Sequence, residues 1–370
     1  MSVSDIPRRK AEKTDLEGGG MKQFFSGKRI VVTGGVGSVG SEIVKQLLEF
    51  DVDCIRVVDN NESALFEMEM AHGAHPQVRF YHCDITDERE MMRTFSTMDL
   101  CFHTAALKHV PSCERSPFSA VNVNIQGCEV VGRAALANGL QKVIFTSSDK
   151  AVNPTNVMGT SKLMGERLFT AMNFLRSADA HTAFACTRFG NVLGSRGSVV
   201  PLFVRQIENG GPVTVTDARM TRFVMTMPQA ARLVIESMVV AHGGEVFITK
   251  MPVLRITDLA EVMIDRLAPH YGTSPEIAIT TPRPGEKLWE ELSTDEESGR
   301  ILEGSEFLVV LPSGMTPEER ERYTYDTLDL QKSDAVYHSD REEKIDAPAI
   351  RALLAEPGVL PDDLGPRFEN

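Results

Sequence analysis

From residue 28 to about residue 188 the chain repeats one rhythm, a short β-branched run followed by a stretch with apolar residues at helical spacing. The runs fall at 29–33, 54–58, 78–82, 99–103, 142–147 and 182–188. The helical patterns between them include 42–50, 63–71, 119–137 and 157–174. Apolar strands alternating with amphipathic helices bury both faces of a sheet, so the alternation demands βαβ units and parallel strands. The expected fold class is α/β, a doubly wound parallel sheet with helices on both faces.

The last third changes character. Gly210-Gly211-Pro212, Gly243-Gly244 and the turn at 282–285 break it into short pieces, which reads as a smaller mixed α/β region. The expected organisation is a flexible lead-in at 1–26, the sheet domain at 27–190, a second region at 191–312 and a charged, proline-rich extension at 313–370. A strand or helix of the second region is free to return to the sheet. With 28 glycines and 19 prolines in 370 residues, the chain is far from low-complexity composition and has a large core to bury. The net charge of −13 argues against coating a nucleic-acid backbone, which requires lysine and arginine. The six cysteines are scattered without a Cys-x-x-Cys pair, so they read as reduced core thiols; no metal is expected. No apolar run is long enough to span a bilayer, and the polar amino terminus has no signal-peptide core. A cytoplasmic protein is expected.

The first strand runs into Thr33-Gly34-Gly35-Val36-Gly37-Ser38-Val39-Gly40, and a helical pattern follows. Glycines at 34, 37 and 40 permit a tight turn, close approach of backbone to a pyrophosphate and close packing of helix on sheet. The helix amino terminus, with Ser38 and Val39, adds N–H groups and partial positive charge. Asp59 ends the second strand, where a carboxylate accepts from the adenosine ribose and repels a 2′-phosphate. With Asn60 and no arginine beside it, NAD is expected rather than NADP. Asp84, followed by Ile85, reads either as a partner of the adenine amino group or as a helix N-cap.

After the fifth strand come Ser147-Ser148-Asp149-Lys150 and then Met158-Gly159-Thr160-Ser161-Lys162. Here the chain resembles the extended short-chain dehydrogenase/reductase superfamily, of Rossmann type, which places a Ser or Thr after that strand and a Tyr-x-x-x-Lys pair on the next helix. Lys162 matches the lysine. Met158 stands in the tyrosine's place, and no tyrosine lies between Tyr81 and Tyr271. A thioether does not titrate, so the acid and base work must lie elsewhere. The stretches 105–111, 148–150, 158–162, 188–195 and 283–287 together resemble the bacterial UDP-N-acetylglucosamine 4,6-dehydratases of the CapD-like polysaccharide biosynthesis family. Many anchored members begin with membrane helices; this chain resembles the soluble form or a lone catalytic domain.

The resemblance implies a reaction in which C4 of a UDP-sugar is oxidised, the C5 proton is removed, the C6 hydroxyl leaves as water and hydride returns to C6. Asp149 is then the acid for the C6 hydroxyl and Lys150 the base at C5. Lys150 must be neutral for this, against an ordinary value of ~10.4. Lys162 would hold the nicotinamide ribose and Ser148 the C4 oxygen; the group that takes the C4 hydroxyl proton is not identified. Ala105, Ala106, Lys108 and Asn124 join the expected cofactor set. Lys108 and His109 either line the site or are solvated loop residues. For the nucleotide sugar the expected anchors are Arg188, Asn191, Arg196, Arg222, Arg283 and Glu286, because a planar guanidinium donates two parallel bonds to phosphate. The alternatives are a UDP-sugar 4-epimerase and a non-catalytic nucleotide sensor of the same fold. The superfamily pairs protomers through helices, so a homo-oligomer is expected.

Overall fold

The computed structural model describes residues 19–175, 182–281, 284–321, 323–325 and 328–368. They form two compact units, each discontinuous in sequence. The first takes the chain up to Arg188 with Ala231–Lys250 and Asp295–Ala335; the second takes Phe189–Ala230, Met251–Thr294 and the chain from Val336 onward.

The first unit is built on β1 (Arg29–Thr33), β2 (Cys54–Asp59), β3 (Val78–His82), β4 (Leu100–His103), β5 (Lys142–Thr146) and β6 (Ala183–Arg188). They pair in parallel in the order β3-β2-β1-β4-β5-β6. The order reverses between β1 and β4, and in such sheets ligands bind beyond the carboxyl ends at this point. The α/β expectation and all six strands are borne out within two residues at each end. Val246–Thr249 adds to β6 in parallel, and Phe307–Val310, Ile301–Glu303 and Gln331–Ser333 extend the sheet antiparallel. Part of the stretch expected as a C-terminal extension is thus a sheet edge. Within the expected lead-in, Gly20–Phe25 is a helix that buries Phe25, while residues 1–18 lie outside the described set.

The helices follow local chemistry. Ser38–Leu47 buries Ile43, Val44 and Leu47. Asn61 and Asp87 cap Glu62–His72 and Glu88–Phe95 by accepting from Ala64 N and Glu90 N. The expected helix at 119–137 is interrupted: Val121–Gln126 is π-helical before Gly127–Ala137 resumes the α-helix. One extra residue per turn there leaves Asn124 buried.

The second unit holds a three-stranded sheet of Val253–Arg255, Thr221–Met225 and Asn191–Val192, and a parallel pair, Val213–Val215 with Ile277–Ile279. Helices Val199–Glu208, Ile256–Tyr271 and Ala347–Ala355 share a core containing Phe203, Ile207, Leu259, Met263, Ile350 and Leu354. All six cysteines are free, and all but Cys54 are buried. Among the described residues, no helix is long and apolar enough to cross a membrane.

Candidate active site

The glycine turn leaves β1 with Gly34 at φ +68°, in the left-handed region that glycine tolerates. A Cβ on Gly34 would stand 2.5 Å from Ala105 N, and one on Gly40 would stand 2.3 Å from the Gly34 carbonyl. These two glycines close the turn against the loop after β4 and against the following helix. Gly37 differs, because its Cβ would meet only the Gly34 carbonyl, at 3.0 Å. The helix from Ser38 starts at Gly37 without a side-chain cap and without an acidic residue in its first turn. Such an end suits an anion. Gly34→Ala is therefore expected to lose at least ~1–2 kcal/mol from backbone strain alone, and Gly37→Ala much less; the shift in urea midpoint at constant slope measures both.

Asp59 ends β2 with both oxygens engaged, accepting from Val36 N at 3.3 Å and from Asn61 N at 3.1 Å. The carboxylate is thereby fixed beside the glycine turn. Asp84 accepts from Thr86 N, Thr86 Oγ1 and Asn60 Nδ2. Burial raises its pKa, but these three bonds outweigh burial and hold it below the usual carboxylate range. The N-cap reading of Asp84 is corrected, since Asp87 caps the helix. Ile85 lies against Gly127, where a Cβ would approach its Cδ1 to 2.5 Å.

Beyond β5, Ser147 N bonds the Thr187 carbonyl and a short 3₁₀ turn, Asp149–Ala151, begins. Ser148 Oγ donates to Asp149 Oδ1 at 2.7 Å and accepts from Lys150 N at 3.2 Å. Lys150 Nζ donates to the same Asp149 Oδ1 at 2.9 Å. Asp149 is fully buried, and its Oδ2 has no partner among the described residues. An unpaired buried carboxylate oxygen costs roughly 1–3 kcal/mol or more. The turn is held by helix Val157–Leu175: a Cβ on Gly159 would lie 2.2 Å from the Lys150 carbonyl, so only glycine fits.

The same helix carries Met158, Ser161 and Lys162. Met158 is buried with Cys113 and Ala120, and Val110 and Val157 pack on them. Lys162 is buried, donates from Nζ to the Thr146 carbonyl at 2.9 Å and lies 4.7 Å from the Phe145 ring centroid. Burial pushes its pKa down to about 8. Asn124 accepts from Leu107 N and donates to the Leu107 carbonyl and to Ser161 Oγ, tying the 104–109 loop to this helix. Lys108 and His109 on that loop are exposed, while Ala105 and Ala106 are half-buried. Burial and the Lys108 charge lower the His109 pKa.

Two of the arginines expected to meet a diphosphate are turned inward. Arg188 donates from Nε and Nη2 to Glu166 at 2.8 and 2.7 Å, and from Nη1 and Nη2 to Glu297 at 2.8 Å each. Its guanidinium is consumed by two buried carboxylates, which corrects its assignment as an anchor. In the second unit Arg222 donates to the carbonyls of Thr221, Lys287 and Leu288 and lies 3.8 Å from Glu290. It clamps the 287–290 segment, so its direct role toward phosphate is corrected too. Arg283 lies outside the described residues. Arg196 is exposed; Asn191, paired across strands with Val224, and Glu286 are half-buried. Sequence reasoning missed Glu166, Glu297 and Ser161, whose importance lies in partners far along the chain. The i, i+4 spacing of Lys162 and Glu166 was the available signal.

The chain matches the polysaccharide biosynthesis protein family over residues 30–311. It is 46% identical to an uncharacterized membrane protein of Methanocaldococcus jannaschii over 84% of this chain and 94% of that one. It is 38% identical to the UDP-N-acetylglucosamine 4,6-dehydratase (inverting) of Campylobacter jejuni, over 78% of this chain and 84% of that one. With the capsular polysaccharide biosynthesis protein CapD of Staphylococcus aureus it shares 40% identity over 80% of its length, and spans 50% of that protein. A UDP-glucose 4-epimerase of Rickettsia canadensis matches at 36% identity, over 75% of this chain and 81% of that one. The X-ray structure of Pen from Bacillus thuringiensis superposes with a TM-score of 0.83 at 37% identity, covering 90% of this chain and 98% of that one.

Proposed function

We propose that this chain, which belongs to the polysaccharide biosynthesis protein family, is a nucleotide-sugar 4,6-dehydratase acting on UDP-N-acetylglucosamine. The observation that carries the reading is the Asp149–Lys150 pair at the end of β5, with one carboxylate oxygen unspent. The likeness to the Campylobacter dehydratase supports it.

The uncapped helix end and the open side of Gly37 fit a dinucleotide pyrophosphate. Gly37, Ser38 and Val39 would hold it, Asp59 the adenosine ribose, Asp84 and Ile85 the adenine, and Lys162 the nicotinamide ribose, with Ala105, Ala106 and Asn124 shaping the loop beside them. When bound, the nicotinamide supplies a hydride acceptor for C4 and a hydride source for C6.

The remaining chemistry belongs to the chain. Ser148 bonds the C4 oxygen. Once C4 is a ketone, the C5 proton is acidic and Lys150 removes it, while Asp149 gives a proton to the C6 hydroxyl, which leaves as water. For this step the proton of the pair sits on Asp149 and Lys150 is a free amine. As hydride returns to C6, the protonated Lys150, open to exchange with solvent, gives a proton back to C5.

Incubation with UDP-N-acetylglucosamine in deuterated water tests the reading. Loss of water with deuterium at C5 supports it; an isomeric UDP-sugar of unchanged mass favours the epimerase, the reading that the Rickettsia relative keeps in play. The cofactor released from the purified chain is expected to be NAD, because the Asp59 carboxylate repels a 2′-phosphate; mass analysis finding NADP would overturn that assignment.

A further inference from the structure

Four residues beyond Lys162 on the same helix stands Glu166, and both side chains are buried. Residues at this spacing share a helix face. Glu166 is held by the two-pronged bond from Arg188, and Glu297 holds the other side of that guanidinium. Arg300 lies 3.7 Å from Glu297 and is itself paired with Glu296 at 2.9 Å. Three carboxylates thus meet two guanidinium groups, and no step of the proposed reaction uses any of them.

We propose that Glu166, fixed by Arg188, is a positioning residue for Lys162, holding that side chain in its charged form where it bonds the Thr146 carbonyl. The proposal rests on the functional reading only for what Lys162 would grip, the cofactor ribose; its charge state is a property of the chain.

The surroundings of Lys162 leave few other sources of compensation. From β4, His103 is driven by burial and by Lys162 itself to a pKa of about 3, so it is neutral. Burial pushes Cys128 up to about 12 and raises Cys113 and Cys186, so all three thiols are uncharged near pH 7. Phe145 offers only the partial negative charge of its ring face. Glu166, four residues along the helix and buried like Lys162, is then the carboxylate among these groups whose charge raises the Lys162 pKa against burial. Paired with Arg188 alone its charge would be largely cancelled; Glu297 on the other side of the guanidinium prevents that.

The test is a pH titration of the full chain labelled with ¹³C-lysine, following the Lys162 Cε resonance assigned with Lys162→Met. The wild-type midpoint is expected at about 8. Glu166→Gln keeps the shape and one of the two acceptor oxygens that Arg188 bonds but removes the charge, and should move the midpoint down by about one pH unit. Glu297→Gln removes a charge one step further off and should move it down by less. An unchanged midpoint in folded Glu166→Gln overturns the proposal. If that variant does not fold, an unchanged midpoint in Glu297→Gln does so. NAD affinity against pH gives the second readout: its alkaline loss should shift to lower pH in step with the midpoint. A moved midpoint with an unmoved affinity profile upholds the charge assignment and overturns the reading of Lys162 as the cofactor's grip.

Discussion

Lys150→Ala is expected to abolish dehydration while leaving the fold, the cofactor and nucleotide-sugar binding in place. Lys150 Nζ bonds Asp149 at 2.9 Å, and its side chain retains 23% exposure, so removing it empties no core, and the buried Asp149 carboxylate keeps the Ser148 hydroxyl as a donor. General base groups typically contribute ~10²–10⁴-fold, and turnover should fall by at least that order. One hydride transfer to the cofactor, seen as a single burst of absorbance, should survive, and exchange of the C5 proton with solvent should stop. Asp149→Asn keeps the shape of the buried side chain but removes the titrating proton, so the reaction should stall at loss of the C6 hydroxyl. Some C5 exchange should persist there, because Lys150 is still present. Both variants forming product at near wild-type rates would overturn the assignment of acid and base.

Arg188→Met should produce the largest loss of stability. The guanidinium has 2% exposure and the carboxylates of Glu166 and Glu297 have 4% each, so solvent cannot compensate them. Removing one partner of a buried charge network typically costs ~3–5 kcal/mol, on the order of 10 °C in Tm for a domain of this size. Adding Glu166→Leu and Glu297→Leu to Arg188→Met should recover much of the loss, since an apolar cluster of similar volume has no charge to desolvate. Thermal unfolding of the single and triple variants measures this. A loss below ~1 kcal/mol for Arg188→Met would mean that the residue behaves as an exposed ion pair.

The β-branched runs and the glycines determined the first six strands and the turn after β1, because periodicity and backbone freedom are properties of neighbouring residues. Asp149 and Lys150 were legible for the same reason: they are adjacent, and the strand before them fixes which end of the sheet they occupy. Only the tertiary structure decided what Arg188 and Arg222 do. An arginine in a motif reads identically whether it faces a phosphate or a carboxylate, and the partner of Arg188, Glu297, lies 109 residues away. The π-helical turn at Val121–Gln126 was equally hidden, since one extra residue per turn leaves no mark on composition, yet it brings Asn124 to Leu107 and Ser161. That a strand of the second region could return to the sheet was legible, but that it is Val246–Thr249 and that it pairs with β6 was not. Strand pairing across such a separation is chosen by the edge that an already formed sheet leaves open, and no local pattern encodes that edge.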